Sequence, residues 1–282
     1  MKKILLLSVF VSVAHILPAQ KNTCCSVASG QGMAAFATDR AFVKAHKNPK
    51  AFTYQSAAGK MIRFPAADGQ TANAYEVKAS SPTNKYVFVF QEWWGLNDYI
   101  KKESDQIYAS LGGKVNVIAI DLYDGKIATT RDSAGAYMQA AKPERLVSII
   151  KGALTFVGTK AEIVTIGWCF GGGWSLQAAL LAGTQDKGCV MYYGSPETDA
   201  AKLSTLNGEL LGIFASQDKW ITPEVVNAFD ANLTAAGKKH TIKQFDADHA
   251  FANPSNPQYN KVYTEEAYAL SIAFIKKCFM LK

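Results

Sequence analysis

The sequence predicts an α/β protein built on a mostly parallel central sheet with helices on both faces. Three observations carry that expectation. Short runs of Val, Ile, Leu and Phe recur along the chain, amphipathic stretches separate them, and the candidate reactive residues fall just after the runs. Near-continuous apolar runs suit strands buried on both faces, and strands alternating with helices imply parallel pairing.

The elements follow in order. Met61–Phe64 and Ala72–Lys78 read as a hairpin around the turn signal Ala67-Asp68-Gly69. Apolar runs then mark strands at Tyr86–Phe90, Val115–Ile120, Glu162–Gly167, Cys189–Tyr193, Leu210–Ala215 and Thr241–Phe245. Between them, helices are expected over Asp98–Leu111, Glu144–Val157, Gly173–Leu181, Pro223–Ala236 and Glu265–Cys278. In the second of these, Leu146, Ile149, Ile150, Leu154 and Val157 recur at helical spacing. Residues 59–282 thus form the main domain. Residues 21–58 form an N-terminal extension with a short helix over Met33–Ala45 and a loop at Asn48-Pro49.

The first 20 residues read as a secretory signal peptide. Lys2 and Lys3 supply a positive start, Ile4–Leu17 an apolar run, and Pro18-Ala19-Gln20 a break suited to cleavage. The run is too short to span a bilayer as a helix, and no later segment is long and apolar enough. The expected mature protein is therefore exported, periplasmic or secreted, without a membrane span.

Composition narrows the function. Of 282 residues 49% are hydrophobic and 19% charged, the balance of a globular protein with a sizeable core. The net charge of +7 comes from scattered lysines with no basic cluster, which argues against a nucleic-acid partner. Five cysteines (Cys24, Cys25, Cys169, Cys189 and Cys278) leave at least one thiol without an intrachain partner. A disulfide joining Cys24 or Cys25 to Cys278 is one reading of the others. No CxxC and no pair of histidines at helical spacing suggests zinc, and no metal or organic cofactor is expected.

The strongest chemical signal is Gly167-Trp168-Cys169-Phe170-Gly171-Gly172-Gly173, directly after the strand Ile163–Ile166 and at the start of a helix. A strand–turn–helix of this kind presents a nucleophile on a strained corner, which requires small residues two positions to either side. The turn aims the backbone N–H of Phe170 at a reacting carbonyl, and the helix N-terminus adds positive potential that favours a thiolate. A base is then needed. His249 follows the strand Thr241–Phe245, whereas His240 precedes it and lies at the opposite end. His240 and His46 are read as surface histidines. Asp218, after Leu210–Ala215, is the expected orienting carboxylate, with Asp246 and Asp248 as rivals. The order Cys169, Asp218, His249 places all three at one edge of a parallel sheet. Glu92, after Tyr86–Phe90, faces the same edge, where a carboxylate at the end of an apolar strand costs free energy unless it is bonded or protonated. Trp93, Trp94, Trp168 and Trp220 flank these loops and are either pocket or core.

The segments QEWWGLND, DLYDG, GWCFGGG, YYG, ASQDKWITP and DADHAFAN, in this order and spacing, resemble the dienelactone hydrolase family over about residues 60 to 280. The resemblance implies an α/β-hydrolase fold and a catalytic set of Cys169, Asp218, His249 and Glu92, the glutamate holding the thiol at rest. It also implies an oxyanion hole from the N–H groups of Phe170 and Trp93. In the family's muconate-pathway enzymes two arginines bind a substrate carboxylate. One follows the catalytic histidine by four residues, where this sequence has Asn253. For the other, Arg131 is the nearest candidate, with Trp94 as a further substrate-binding residue.

The reading is a hydrolase that cleaves a small-molecule carboxylic ester or lactone through a Cys-Asp-His triad and a thioester acyl-enzyme. A thiol peptidase or an acyltransferase would use the same triad. A non-catalytic small-molecule binding protein would have a broken one, and here it is whole.

Overall fold

The computed structural model describes residues 30–55 and 58–282. The expected signal peptide over residues 1–20, and Cys24 and Cys25, lie outside the described residues.

Eight strands form one sheet: β1 (Lys60–Pro65), β2 (Thr71–Val77), β3 (Lys85–Phe90), β4 (Asn116–Ile120), β5 (Glu162–Trp168), β6 (Asp186–Tyr192), β7 (Glu209–Ala215) and β8 (His240–Phe245), in the order β1-β2-β4-β3-β5-β6-β7-β8. The β1–β2 hairpin and the β2–β4 contact are antiparallel, and every other pairing is parallel. Burial follows position in the sheet. The edge strand β1 alternates between exposed and covered residues, while β5 and β7 are buried at every position after the first. Such strands need apolar side chains on both faces, which is why they read as continuous Val/Ile/Leu/Phe runs.

The helices are α1 (Gly30–Ala35), α2 (Arg40–Ala45), α3 (Asp98–Ser110), α4 (Arg131–Ala140), α5 (Pro143–Val157), α6 (Phe170–Ala182), α7 (Ala200–Leu203), α8 (Pro223–Ala235) and α9 (Lys261–Cys278). α5 and α6 touch each other and cover β1, β3, β4, β5 and β6. α3 packs on β2 and β4 and α9 on β6 and β7, the two helices joined by Ser110 and Tyr268 at 2.9 Å.

Three of the differences from expectation have local reasons. The helix expected over Met33–Ala45 is two helices, because the Asp39 side chain accepts the N–H groups of Ala41 and Phe42 and starts α2 afresh. α4 was not expected at all. Its Thr130–Ser133 capping box marks the start, but Gly135 in its interior weakens the helical signal. That glycine lets the extension approach closely: a Cβ there would lie 3.2 Å from the Ala37 carbonyl oxygen. Finally, the helix expected from Gly173 already begins at Phe170, so Cys169 is its N-cap.

Because β3, β5, β6, β7 and β8 run parallel, their carboxyl ends share one edge. The loops that follow four of them carry Glu92, Cys169, Asp218 and His249.

Candidate active site

Cys169 occupies the corner between β5 and α6 with φ 53° and ψ −118°, in the left-handed half of backbone space that a side chain rarely adopts. The surrounding glycines make the corner possible. A Cβ on Gly167 would lie 2.1 Å from the Gly171 carbonyl oxygen, and one on Gly171 would lie 2.3 Å from the carbonyl oxygens of Phe90 and Gln91. The N–H of Cys169 donates to the Tyr192 carbonyl at 3.0 Å, which fixes the corner against β6. The Phe170 N–H, at the first turn of α6, acts on the sulfur and favours its anionic form.

His249 Nε2 lies 3.4 Å from Cys169 Sγ, and Nδ1 lies 2.6 Å from Asp218 Oδ2. The other Asp218 oxygen accepts the N–H groups of Trp220 and Ile221 at 2.9 and 3.0 Å. Asp246, a rival for this role, instead accepts from Gln217 at 2.7 Å. A carboxylate only accepts hydrogen bonds, so His249 Nδ1 carries the hydrogen and Nε2 is left to exchange a proton with the thiol. Burial works against charge on His249, and Asp218 outweighs it, holding the imidazole well above its ordinary range. Burial also pushes the Cys169 thiol up, opposed by His249. A lone thiolate is therefore disfavoured here, and the imidazolium beside it is what offsets the cost.

Glu92 is buried, and burial raises its carboxyl to about 7, against the pull of His249, the Asn253 bond and Tyr193. The Asn253 amide donates to Glu92 Oε2. The resemblance implies a glutamate holding the thiol. In this structure Asn253 donates to one of its oxygens, and its charge acts on the sulfur. The buried Tyr123 hydroxyl lacks a partner among the described residues, Tyr193 bears on Glu92, and both tyrosines feel the charge of Cys169. A buried polar group without a partner costs about 1–3 kcal/mol.

A model of the dienelactone hydrolase family matches residues 72–279. The chain belongs to the dienelactone hydrolase family. It is an ester or lactone hydrolase with an α/β-hydrolase fold. It is 24% identical over 235 residues to "Protein usf" of Aquifex pyrophilus, covering 78% of this chain and 98% of that protein. It is 28% identical over 210 residues to a carboxymethylenebutenolidase of Pseudomonas sp., covering 68% and 84%. Among solved structures, a dienelactone hydrolase-like promiscuous phosphotriesterase from metagenomic libraries superposes with a TM-score of 0.67 at 19% identity, covering 79% of this chain and 99% of that one. An esterase of Pyrococcus furiosus gives 0.59 at 14%, covering 82% and 98%. These last two likenesses bear on the fold alone.

The family match begins at residue 72, yet the segment before it reaches His249. His46, read from the sequence as a surface histidine, is buried, with its ring centroid 5.7 Å from that of His249 and 4.6 Å from Trp93. Phe42, one turn earlier on α2, packs edge-on against Trp93, Trp220 and His249 at 5.2, 5.2 and 5.9 Å. Aromatic pairs of this kind contribute about 0.5–1.5 kcal/mol each beyond area burial. Burial and the nearby His249 lower His46 to about 4, and its Nδ1 donates to the Phe42 carbonyl at 2.8 Å. Two imidazoles this close resist carrying charge together, and the one beside Asp218 takes it.

The structure does not bring every expected residue to the thiol. Arg131 starts α4 with its side chain partly exposed and 3.9 Å from Asp132, while its backbone N–H holds Asn48 of the extension at 2.9 Å. Trp94 is buried against Trp93 at 4.9 Å and, with Glu92 and Asn253, lines a small pocket. A cavity of about 690 Å³ opens between α3 and α9, lined by Glu92, Trp168, Tyr193 and Asn253 at one end and by Lys102, Glu103, Glu265 and Tyr268 elsewhere. Its charged lining is predominantly acidic. Cys278 forms no disulfide within the described residues. No helix among them is long and apolar enough to cross a membrane, and no group of three or more His, Cys, Asp or Glu there could hold a metal ion.

Proposed function

We propose that this hydrolase cleaves a neutral carboxylic ester or lactone by nucleophilic catalysis at Cys169, with Asp218 and His249 as its relay. The observation that carries the reading is the unbroken chain from Asp218 Oδ2 to His249 Nδ1 at 2.6 Å and from His249 Nε2 to Cys169 Sγ at 3.4 Å. The sulfur attacks the carbonyl carbon as its proton passes to Nε2. Negative charge develops on the carbonyl oxygen, where the N–H groups of Phe170 and Trp93 stabilise it. The tetrahedral adduct collapses, the C–O bond to the alcohol breaks, and His249 protonates the departing oxygen. In a lactone that oxygen stays tethered to the acyl chain. Water, giving a proton to His249, then attacks the thioester and releases the acid and the thiol. Asp218 keeps the ring oriented throughout and offsets the imidazolium charge.

The preference for neutral substrates rests on Asn253. An amide occupies the place where a family arginine would meet a carboxylate. The test is rapid mixing with an activated ester such as p-nitrophenyl acetate, followed by acid quench and intact-mass measurement. The expected result is a burst of p-nitrophenol and an acetyl group on the Cys169 peptide. Turnover with the acyl group on another residue, or none, overturns the reading.

A further inference from the structure

We propose that the segment Asp39–His46 is a gate over the active site, and that Phe42 and His46 set which esters reach Cys169. The inference rests on the Cys169 reading above and concerns residues ahead of the family match. The reacting groups are nearly sealed: Cys169, Asp218 and His249 are 1%, 3% and 4% exposed. An acyl group with its leaving alcohol has no room at the sulfur until something moves. Phe42 and His46 form a roof here, their rings meeting Trp93, Trp220 and His249, which come from three different strand-end loops.

Of the parts enclosing the thiol, this segment is held by the fewest bonds. Among the described residues, no backbone–backbone hydrogen bond joins residues 39–47 to the sheet or its loops; Asp39 and Val43 bond only within the segment and to Phe36. Its polar tether is the Asp39 carboxylate, which accepts from Trp220 Nε1 at 3.4 Å. The loops carrying Asp218 and His249 are, by contrast, stitched together, with Ser216 N–H on Phe245 O at 2.8 Å and Gln217 N–H on Ala247 O at 3.0 Å. Lifting α2 separates ring contacts, the packing of Val43 against α4 and one long hydrogen bond, whereas moving either loop breaks the backbone pairing that holds the triad. The segment also has fixed hinges. Gly32 of α1 is seated so close to Ser195 that a Cβ would lie 2.1 Å from its hydroxyl, and Asn48 accepts the Arg131 N–H. The gate therefore lifts between two anchors without leaving the protein. Small acyl groups need little displacement and bulky ones need the roof open, so the ring at position 42 acts as a size filter.

The test reads access without requiring turnover. Full-length protein is pulsed with N-ethylmaleimide and each cysteine peptide is quantified by mass spectrometry for wild type, Phe42→Ala and Asp39→Ala. Both variants should label Cys169 at least tenfold faster than wild type. Cys278, partly exposed, and Cys189, fully buried, should be unchanged. Rates at Cys169 within twofold of wild type, with Cys189 still protected, overturn the gate. Where Phe42→Ala exposes Cys189 it has unfolded, and Asp39→Ala, altered only at a partly exposed cap, decides. With an ester series, Phe42→Ala should also raise the octanoate-to-acetate ratio of kcat/KM at least tenfold. A wild type inert to every ester sinks the proposed function, and the labelling result still judges the gate.

Discussion

His249 Nδ1 donates to Asp218 Oδ2 at 2.6 Å, and the second oxygen of that carboxylate is fully engaged by the N–H groups of Trp220 and Ile221. Asp218 thus receives three hydrogen bonds and has none to give. Asp218→Asn keeps the shape and turns one oxygen into a donor, which must face either His249 Nδ1–H or the two backbone N–H groups. Turnover of an activated ester should fall by about 10³–10⁴-fold, while circular dichroism stays that of the wild type. A variant within tenfold of wild type would remove Asp218 from the relay.

Cys169→Ala should lower turnover by orders of magnitude with the fold intact, since only one sulfur is lost. Alkylation should stop turnover only when it falls on Cys169. Cys189 sits 3.5 Å from Ser175 Oγ, and burial pushes its thiol up to about 12, so it should not react. Peptide mapping of partly inactivated enzyme checks this: residual activity should track unmodified Cys169 and nothing else.

Glu92 gives a pH dependence of definite sign. Its carboxyl lies at about 7 in the folded protein against 4.5 ordinarily, so the folded state binds the proton more tightly. The stabilisation is fully present below pH 4.5 and is lost as pH rises through about 7. Relative to wild type, Glu92→Gln should therefore gain about 2–3 kcal/mol in unfolding free energy between pH 4.5 and 8, measured by denaturant titration at both values. Ionised Glu92 also disfavours the neighbouring thiolate. At pH 8 the variant should alkylate at Cys169 about 3–10-fold faster than wild type, and at pH 5 the two should match. Equal rates at pH 8 would show that the carboxylate does not act on the sulfur.

Asn253 predicts substrate charge. A hydrogen bond to a charged group contributes about 1.5–3 kcal/mol, and the arginine that would supply it is absent. Neutral lactones should be turned over at least as well as carboxylated dienelactones, and Asn253→Arg should shift kcat/KM towards the carboxylated substrate by about tenfold or more. A wild-type preference for the carboxylated lactone would require another cation at the site.

Gly171→Ala tests the corner itself. The added methyl would meet two backbone carbonyl oxygens at 2.3 Å, and backbone cannot swing aside as a side chain does. The variant should lose about 1–3 kcal/mol or more of stability, seen as a lower denaturant midpoint at unchanged slope. It should also lose activity, because the same contact displaces Cys169 from His249. A midpoint equal to wild type would mean that the elbow relaxes freely.

What the sequence by itself determined is what neighbouring residues dictate. Strands buried on both faces must be runs of apolar residues, and a corner that bears a reactive side chain must have glycine two positions to either side. The sheet and Cys169 were therefore legible, and so was the chain order of Asp218 and His249. The tertiary structure decided what depends on distant residues meeting. Asp218 rather than Asp246 holds His249, because the β7 loop turns the Asp218 carboxylate to the ring while its Gln217 ties up Asp246. Asn253, across a separation of 161 residues, donates to Glu92 beside the sulfur. His46 reads like any surface histidine, since no spacing links it to the triad. Only the folding of α2 over the strand ends turns its ring to His249. The physical reason is that periodicity records which face of an element is buried, whereas side-chain partners across a sheet edge are set by loop geometry and by packing that no local pattern encodes.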